Sequence, residues 1–279
     1  MRIHSLISEF WHMDGGVAFG VVPRSIWGNQ YPSGADNLIP IVNRILLAES
    51  DNRLILVDTG FGHKRDEKYY QYKYITQRNS LPALLNAQGF SPEEVTDVIF
   101  THLHDDHCGG AVVHNGIGLV PQFPNATHWL SGRQYRWATE PNARESASYF
   151  HDNIDVLFQS GLITLVEEPG EIIPGVEVFF TDGHTGGQMI PLFHSLQGTV
   201  AFLADFIPSK VHLPVPYLAS VDIQPLKALE EKTAYLKRAL GEQHLLFFQH
   251  DYFNEMCRLS DTPKGIRGGE SFTAASLYS

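Results

Sequence analysis

Between Thr101 and Gly110 the chain carries His102, His104 and His107 with Asp105 and Asp106, and the apolar run Val98-Ile99-Phe100 leads directly into them. Imidazoles and carboxylates crowded at the end of a buried strand are costly to leave unpaired. A divalent cation removes that cost, because neutral histidine nitrogen and carboxylate oxygen are its ordinary ligands. His102 and His104 stand two apart, so in an extended stretch both leave from one face. Asp106 and His107 fall where Gly109-Gly110 predicts a turn, which would aim this second pair at a different point. Two ions sharing the cluster are easier to build than four adjacent ligands strained around one. Two-ion hydrolytic sites hold their metals about 3.5–4 Å apart and make water a nucleophile at neutral pH.

Two ions need more ligands than one segment offers, and three further places supply them. Thr181-Asp182-Gly183-His184 follows the apolar-rich strand Val176 to Phe180. Asp205 ends the run Thr199 to Ala204. His250, with Asp251 beside it as an alternative ligand, ends Leu245 to Phe248. Each place has the same arrangement, an apolar strand with a ligand-type residue at its carboxyl end, where open α/β sheets tend to place their ligand sites.

The order His-x-His-x-Asp-His, then Gly-His, then Asp, then His resembles the metallo-β-lactamase-fold hydrolases over roughly the whole chain. The resemblance implies that His102, His104 and His184 hold one ion, that Asp106, His107 and His250 hold the other, and that Asp205 bridges them. Asp58-Thr59-Gly60 is similar to that fold's early Asp-Thr-Gly turn, whose aspartate supports the site without ligating. The opening His12-Met13-Asp14-Gly15-Gly16, with Trp27 and Tyr31-Pro32, is similar to a bacterial quorum-quenching subgroup that hydrolyses N-acyl-homoserine lactones. Phe123-Pro124-Asn125-Ala126 and Asp205-Phe206-Ile207-Pro208 extend that likeness. Two positions depart from related patterns. Small acyl-homoserine lactonases of the superfamily carry Tyr where this chain has Pro208. Position 105 is Asp where many relatives have an apolar or aromatic residue.

Composition excludes several other classes. With 279 residues and 43% hydrophobic residues the chain suits one large α/β domain or two small ones. No apolar run approaches the ~18 residues of a membrane span, and Met1 to Phe10 lacks the basic start and apolar core of a secretory signal. Cys108 and Cys257, the only cysteines, form no disulfide framework and suit a reducing cytoplasm. The formal net charge is -11 with histidines neutral, and no basic stripe offers a nucleic-acid footprint. The expected partner is a small, neutral or weakly anionic molecule, with neither nucleic acid nor membrane; the sequence is silent on oligomeric state.

The elements that must position these ligands can be read coarsely. Leu38 to Leu47 and Arg53 to Val57 read as paired strands joined through Glu49-Ser50-Asp51-Asn52. Leu81 to Gln88 reads as a helix stopped by Gly89. Ser91-Pro92-Glu93-Glu94 reads as a helix start, with Ser as N-cap, Pro at N1 and acids in the first turn. Gly132 to Thr139 and Pro225 to Leu240 read as helices, the latter capped by Gly241. The resemblance implies an α/β (α+β) fold, a four-layer αββα sandwich, over a single domain 1–279. The tail from about 262 is expected to be loosely held.

The chemistry expected is that of a dinuclear metal-dependent hydrolase in which a metal-bridging hydroxide attacks a carbonyl, with Asp106 as the catalytic proton shuttle. The substrate implied by the resemblance is a lactone, an N-acyl-homoserine lactone in particular. A glyoxalase-II-like thioesterase, a β-lactamase and a phosphodiesterase fit the same site, and a non-catalytic metal-binding protein is the remaining alternative. The ligand set suits Zn²⁺, with Mn²⁺ and Fe²⁺ compatible. Met13, Phe19, Val21, Trp27 and Phe206 are expected as apolar walls. His212 follows Asp205 closely and could edge the pocket, although a structural role is favoured. His4, His63, His114, His128, His151, His194 and His244 are expected to be packed or surface residues.

Overall fold

In the computed structural model, which describes residues 1–50 and 52–278, the apolar stretches read above become strands of two seven-stranded sheets. The first sheet uses Arg2–Asp14 (β1), Leu38–Ser50 (β2), Arg53–Val57 (β3), Gln77–Arg78 (β4) and Asp97–Ile99 (β5). A small hairpin, Val112–His114 (β6) and Leu119–Pro121 (β7), follows. Thr127–Ser131 (β8) and Ile163–Val166 (β9) then complete the sheet in the order β4-β1-β2-β3-β5-β8-β9. The second sheet takes Gly170–Ile173 (β10), Val176–Thr181 (β11), Gln188–Ser195 (β12), Gly198–Phe202 (β13), Leu245–Phe247 (β14), Met256–Thr262 (β15) and Gly265–Phe272 (β16), paired in that order. Helices Gly15–Phe19 (α1), Arg24–Trp27 (α2), Glu67–Tyr72 (α3), Leu81–Ala87 (α4), Asp105–Cys108 (α5), Gly132–Thr139 (α6), His151–Gln159 (α7) and Pro225–Gly241 (α8) join them.

Alternation along the strands builds the layers. In β3, Ile55 and Val57 face inward with Leu46, Ala48 and Ile99, against Val176, Phe193, Phe202 and Phe247 of the second sheet. Leu54 and Leu56 face the other way, onto Leu81 and Leu85 of α4 and Ile154 and Leu157 of α7. On the far side, Leu192, Ala201 and Leu246 meet Tyr235, Leu236 and Ala239 of α8. Side chains of period two thus give each sheet two buried faces, and the result is the expected αββα sandwich.

Several boundaries agree with the sequence reading, and several do not. β2 and β3 pair with Ser50 opposite Arg53; Asp51, in the expected connection, lies outside the described residues. The helix expected after Ser91 is a single 3₁₀ turn, Pro92–Glu94, although its capping box forms. Val95 is buried in the core under α4, and Thr96 donates to the Leu54 carbonyl, so the chain is drawn into β5 before a second turn can form. Gly241 does not cap α8 but is its last helical residue, and the left-handed residue that follows is Gln243, φ 55°. The tail expected to be loose is built into the fold: β16 pairs with β15, and the Tyr278 hydroxyl accepts from the Ile3 amide. Among the described residues no helix is long and apolar enough to cross a membrane. Cys108 and Cys257 are buried free thiols.

Candidate metal centre

Strands from both sheets end at one edge of the sandwich, and the candidate ligands sit just past those ends. β5 leads to His102 and His104, and α5 carries Asp106 and His107. β11 leads to His184, β13 to Asp205 and β14 to His250. The structure brings all seven together. His102, His104, His184 and Asp205 place ligand atoms within 4.8 Å of one another, as do Asp106, His107 and His250. Asp205 reaches both groups, with Oδ2 3.0 Å from His184 Nε2 and Oδ1 2.8 Å from His250 Nε2. Asp106 Oδ2 lies 3.5 Å from His107 Nε2 and 3.8 Å from His250 Nε2. Asp251 is in neither group. Its carboxylate is spent on the Lys210, Phe253 and Asn254 amides. None of the seven histidines expected to be bland joins the cluster.

Each imidazole turns one nitrogen to the centre and anchors the other. His107 Nδ1 is 2.8 Å from Asp58, His184 Nδ1 is 3.0 Å from Asp222, and His250 Nδ1 is 3.0 Å from the Val42 carbonyl. His104 is reversed: Nδ1 faces inward, 3.0 Å from His102 Nε2, while Nε2 points to Glu145 at 3.3 Å. His102 Nδ1 meets the Thr101 hydroxyl, which donates onward to Asp58. An acceptor on the outer nitrogen fixes the tautomer and leaves the inner lone pair free for a metal. Asp58 is therefore the hub the Asp-Thr-Gly turn suggested, buried, bonded to Thr101 and His107 from a backbone held at φ 60°. Strained non-glycine backbone of this kind persists where surrounding contacts impose it.

The electrostatics suit a cation. Burial drives the His102 imidazole well below its ordinary range, and His107 and His104 push the same way. Burial opposes protonation of His184 too, but Asp205 and Asp222 outweigh it and raise the group to about 10. The carboxylates thus demand positive charge, which protons or divalent ions can supply. Buried at the centre, His107 Nε2 has no hydrogen-bond partner, and Asp205 Oδ1 meets only the His250 ring nitrogen, whose proton is on the other nitrogen, toward the Val42 carbonyl. Inward-facing atoms with no proton donor between them, together with the mixed nitrogen and oxygen donors, fit a pair of metal ions.

Two cavities open onto the cluster. The inner one, about 60 Å³, is walled by Met13, Phe19, Tyr31, Ile41, Pro208 and Ala219 among others. The outer one, about 600 Å³, runs over Asp106 and His184 to Lys73, Tyr74 and Arg144. Met13 and Phe19 are wall residues as expected. Val21 is instead 96% exposed, Trp27 stacks behind Phe19, and Phe206 packs against Tyr235 under α8. His212 edges the inner cavity by its ring alone. Its Nε2 donates to the Ala18 carbonyl, leaving Nδ1 to accept from Ser209, so neither nitrogen is free for chemistry.

A model of the metallo-beta-lactamase superfamily matches residues 40–250, the span that holds all seven candidate ligands. The chain belongs to the metallo-β-lactamase superfamily. It is a hydrolase of that superfamily with histidine and aspartate groups able to hold metal ions. It is 24% identical to an N-acyl homoserine lactonase of Bacillus cereus over 236 residues, 78% of this chain and 85% of that protein. A probable metal-dependent hydrolase from Staphylococcus aureus superposes with a TM-score of 0.87 at 26% identity, covering 97% of this chain and 98% of that one. AidC, a dizinc quorum-quenching lactonase in complex with a product, superposes at 0.76 and 22% identity, covering 97% and 94%. That last likeness is one of fold.

The sequence reading missed two supports. Asp222 sits in an irregular loop with no motif around it, and Glu145 lies in Asn142-Ala143-Arg144-Glu145, which reads as an ordinary polar connection. Neither segment carries a spacing that would single out its acid.

Proposed function

We propose that this hydrolase opens the ring of N-acyl-homoserine lactones with two divalent cations, zinc being the first choice. The observation that carries the reading is Asp205, one carboxylate whose two oxygens stand against a histidine of each ligand group. Support for the substrate class comes from relatives named N-acyl homoserine lactonase that align along most of the chain. The outer cavity, with Trp11, Met13 and Phe61 among its walls, also offers apolar surface to the hydrocarbon part of such a molecule.

His102, His104 and His184 would hold one ion and Asp106, His107 and His250 the other, with Asp205 touching both. When bound, two such cations acidify water toward neutrality and draw charge from a carbonyl oxygen. The rest falls to the chain. Ring opening joins water's oxygen to the carbonyl carbon and breaks the acyl C–O bond. One proton must reach the ring oxygen, and the other leaves as the new acid ionises. Asp106 would carry the first; its position on the outer cavity beside His107 and His250 supports that role. Pro208 brings no hydroxyl to the inner cavity, so no tyrosine at that position shares the work.

The test is elemental analysis together with a substrate panel: lactones of varied acyl length, S-lactoylglutathione, nitrocefin and bis-p-nitrophenyl phosphate. The expected result is close to two metal ions per chain and highest kcat/KM on acyl-homoserine lactones. Preference for the thioester, the β-lactam or the phosphodiester would reassign the activity, and a metal-loaded protein inert on all of them would refute it.

A further inference from the structure

Asp105, at the position where the family likeness leads to an apolar or aromatic residue, is buried and held by two polar partners. Its Oδ2 lies 2.8 Å from Lys73 Nζ and 2.5 Å from the Tyr69 hydroxyl. Tyr69 belongs to α3, and Lys73 is the residue that ends it. The carboxylate therefore fastens the end of α3 to α5, beside the ligands. It also holds one ammonium on the wall of the outer cavity, which Asp106, His184 and Asp205 line as well. The rings of Phe61 and Tyr69 flank Lys73, their centroids 5.6 and 5.8 Å from Nζ. Among the described residues Asp105 is the only polar partner of this nitrogen. An ammonium has three N–H donors, so donors remain for the cavity. Arg144 lines the same cavity, but it is exposed and bonds the Ser220 carbonyl.

We propose that Lys73, positioned by Asp105, is a substrate-binding residue that donates a hydrogen bond to a neutral carbonyl outside the scissile ring, the amide of an N-acyl lactone. This deepens the lactonase reading and rests on it. Asp105 cancels the charge of Lys73, so the pair presents donors with little net field, which suits an uncharged acceptor better than an anion. It also offsets repulsion between the ammonium and cations at the neighbouring cluster. Trp11, Phe61 and Tyr74 line the same cavity and give the acyl chain an apolar surface once its carbonyl is held. A buried donor left without its acceptor is penalised, which is how such a group discriminates between substrates.

The experiment measures kcat/KM of the metal-loaded protein on an N-acyl-homoserine lactone and on a γ-alkyl lactone of equal length that lacks the amide. Lys73→Met should lower the preference for the amide-bearing lactone on the order of tenfold, mostly through KM, as expected for one hydrogen bond to a charged group. Lys73→Arg should keep most of that preference. Asp105→Ala, which removes the polar anchor of Lys73, should lower the preference as well, and it decides the matter if Lys73→Met does not fold. Equal losses on both lactones would reduce the pair to a structural clasp and overturn the assignment, as would an unchanged preference. A wild-type protein inert on both lactones would sink the lactonase reading, and this inference with it.

Discussion

Asp222 shows what single residues contribute around the cluster. Its carboxylate accepts from His184 Nδ1 at 3.0 Å. Removing such a support typically costs 10–100-fold in metal affinity. Asp222→Ala should therefore weaken retention of the ion at His184 by about that factor, read by competition with a chromophoric chelator. His104→Ala should go further, with metal lost and activity abolished. An Asp222→Ala protein with wild-type affinity would mean that the loop, not the carboxylate, orients His184. The seven candidate ligands were legible because each lies a few residues past an apolar run, and four of them share one short segment. Asp58 was legible because Asp-Thr-Gly is itself a local pattern. Asp222 and Glu145 were not, since they lie 38 and 41 residues from the histidines they serve and meet them only once loops have folded together.

Elements were legible where their own periodicity decided them and obscure where a neighbour did. α6 spans Gly132–Thr139 as read, because Ser131 caps it by accepting from the Gln134 amide. The turn after Ser91 carried an equally good cap, but burial of Val95 and pairing beside β3 outweighed that local preference. Edge strand β16 was hidden because Gly265, Gly268 and Gly269 read as slack chain. In the fold, Gly268 lies flat against the Lys210 side chain, where a Cβ would not fit. Gly109 and Gly110 read as a turn, and their larger task is close packing. A Cβ on Gly110 would collide with the Thr59 carbonyl oxygen, and Gly62 of the same turn, at φ 70°, packs close to the Gly110 Cα. Gly110→Ala must push the 58–62 turn away and drag Asp58 off His107. The expected outcome is a loss of about 1–3 kcal/mol in urea unfolding, as for overpacked sites, with lowered metal content. A variant as stable and as metal-rich as wild type would show that the turn yields freely.

At the scale of the molecule, the sheets meet over a core that neither could bury alone, and the sequence pattern permitted this sandwich without selecting it. Strands alternate in both sheets alike, so it was the family likeness that told two stacked sheets from one. Both sheets also contribute ligands, so bound ions would tie them together, and chelation should lower the unfolding temperature of the whole protein. A second stability effect runs through Glu9, buried in β1 beneath the Gly60–Gly62 turn, where it accepts from Ser8 and from the Gly62 amide. Burial outweighs those hydrogen bonds and pushes its carboxyl from 4.5 up to about 7. Below pH 4.5 the acid is protonated folded or unfolded, so it has no effect there. Between pH 4.5 and 7 the unfolded chain gives up the proton while the native protein keeps it, so the native state binds more protons and stability falls as pH rises. Above pH 7 the loss is complete, on the order of 3 kcal/mol at most. Glu9→Gln, which keeps the shape and the acceptor for Gly62, should match the wild type near pH 4 and exceed it increasingly from pH 5 to 7. The measurement is urea unfolding of both proteins across that range under identical metal conditions. A stability difference that does not change with pH would show that Glu9 titrates in the folded protein as it does in water, and that the turn above it opens to solvent.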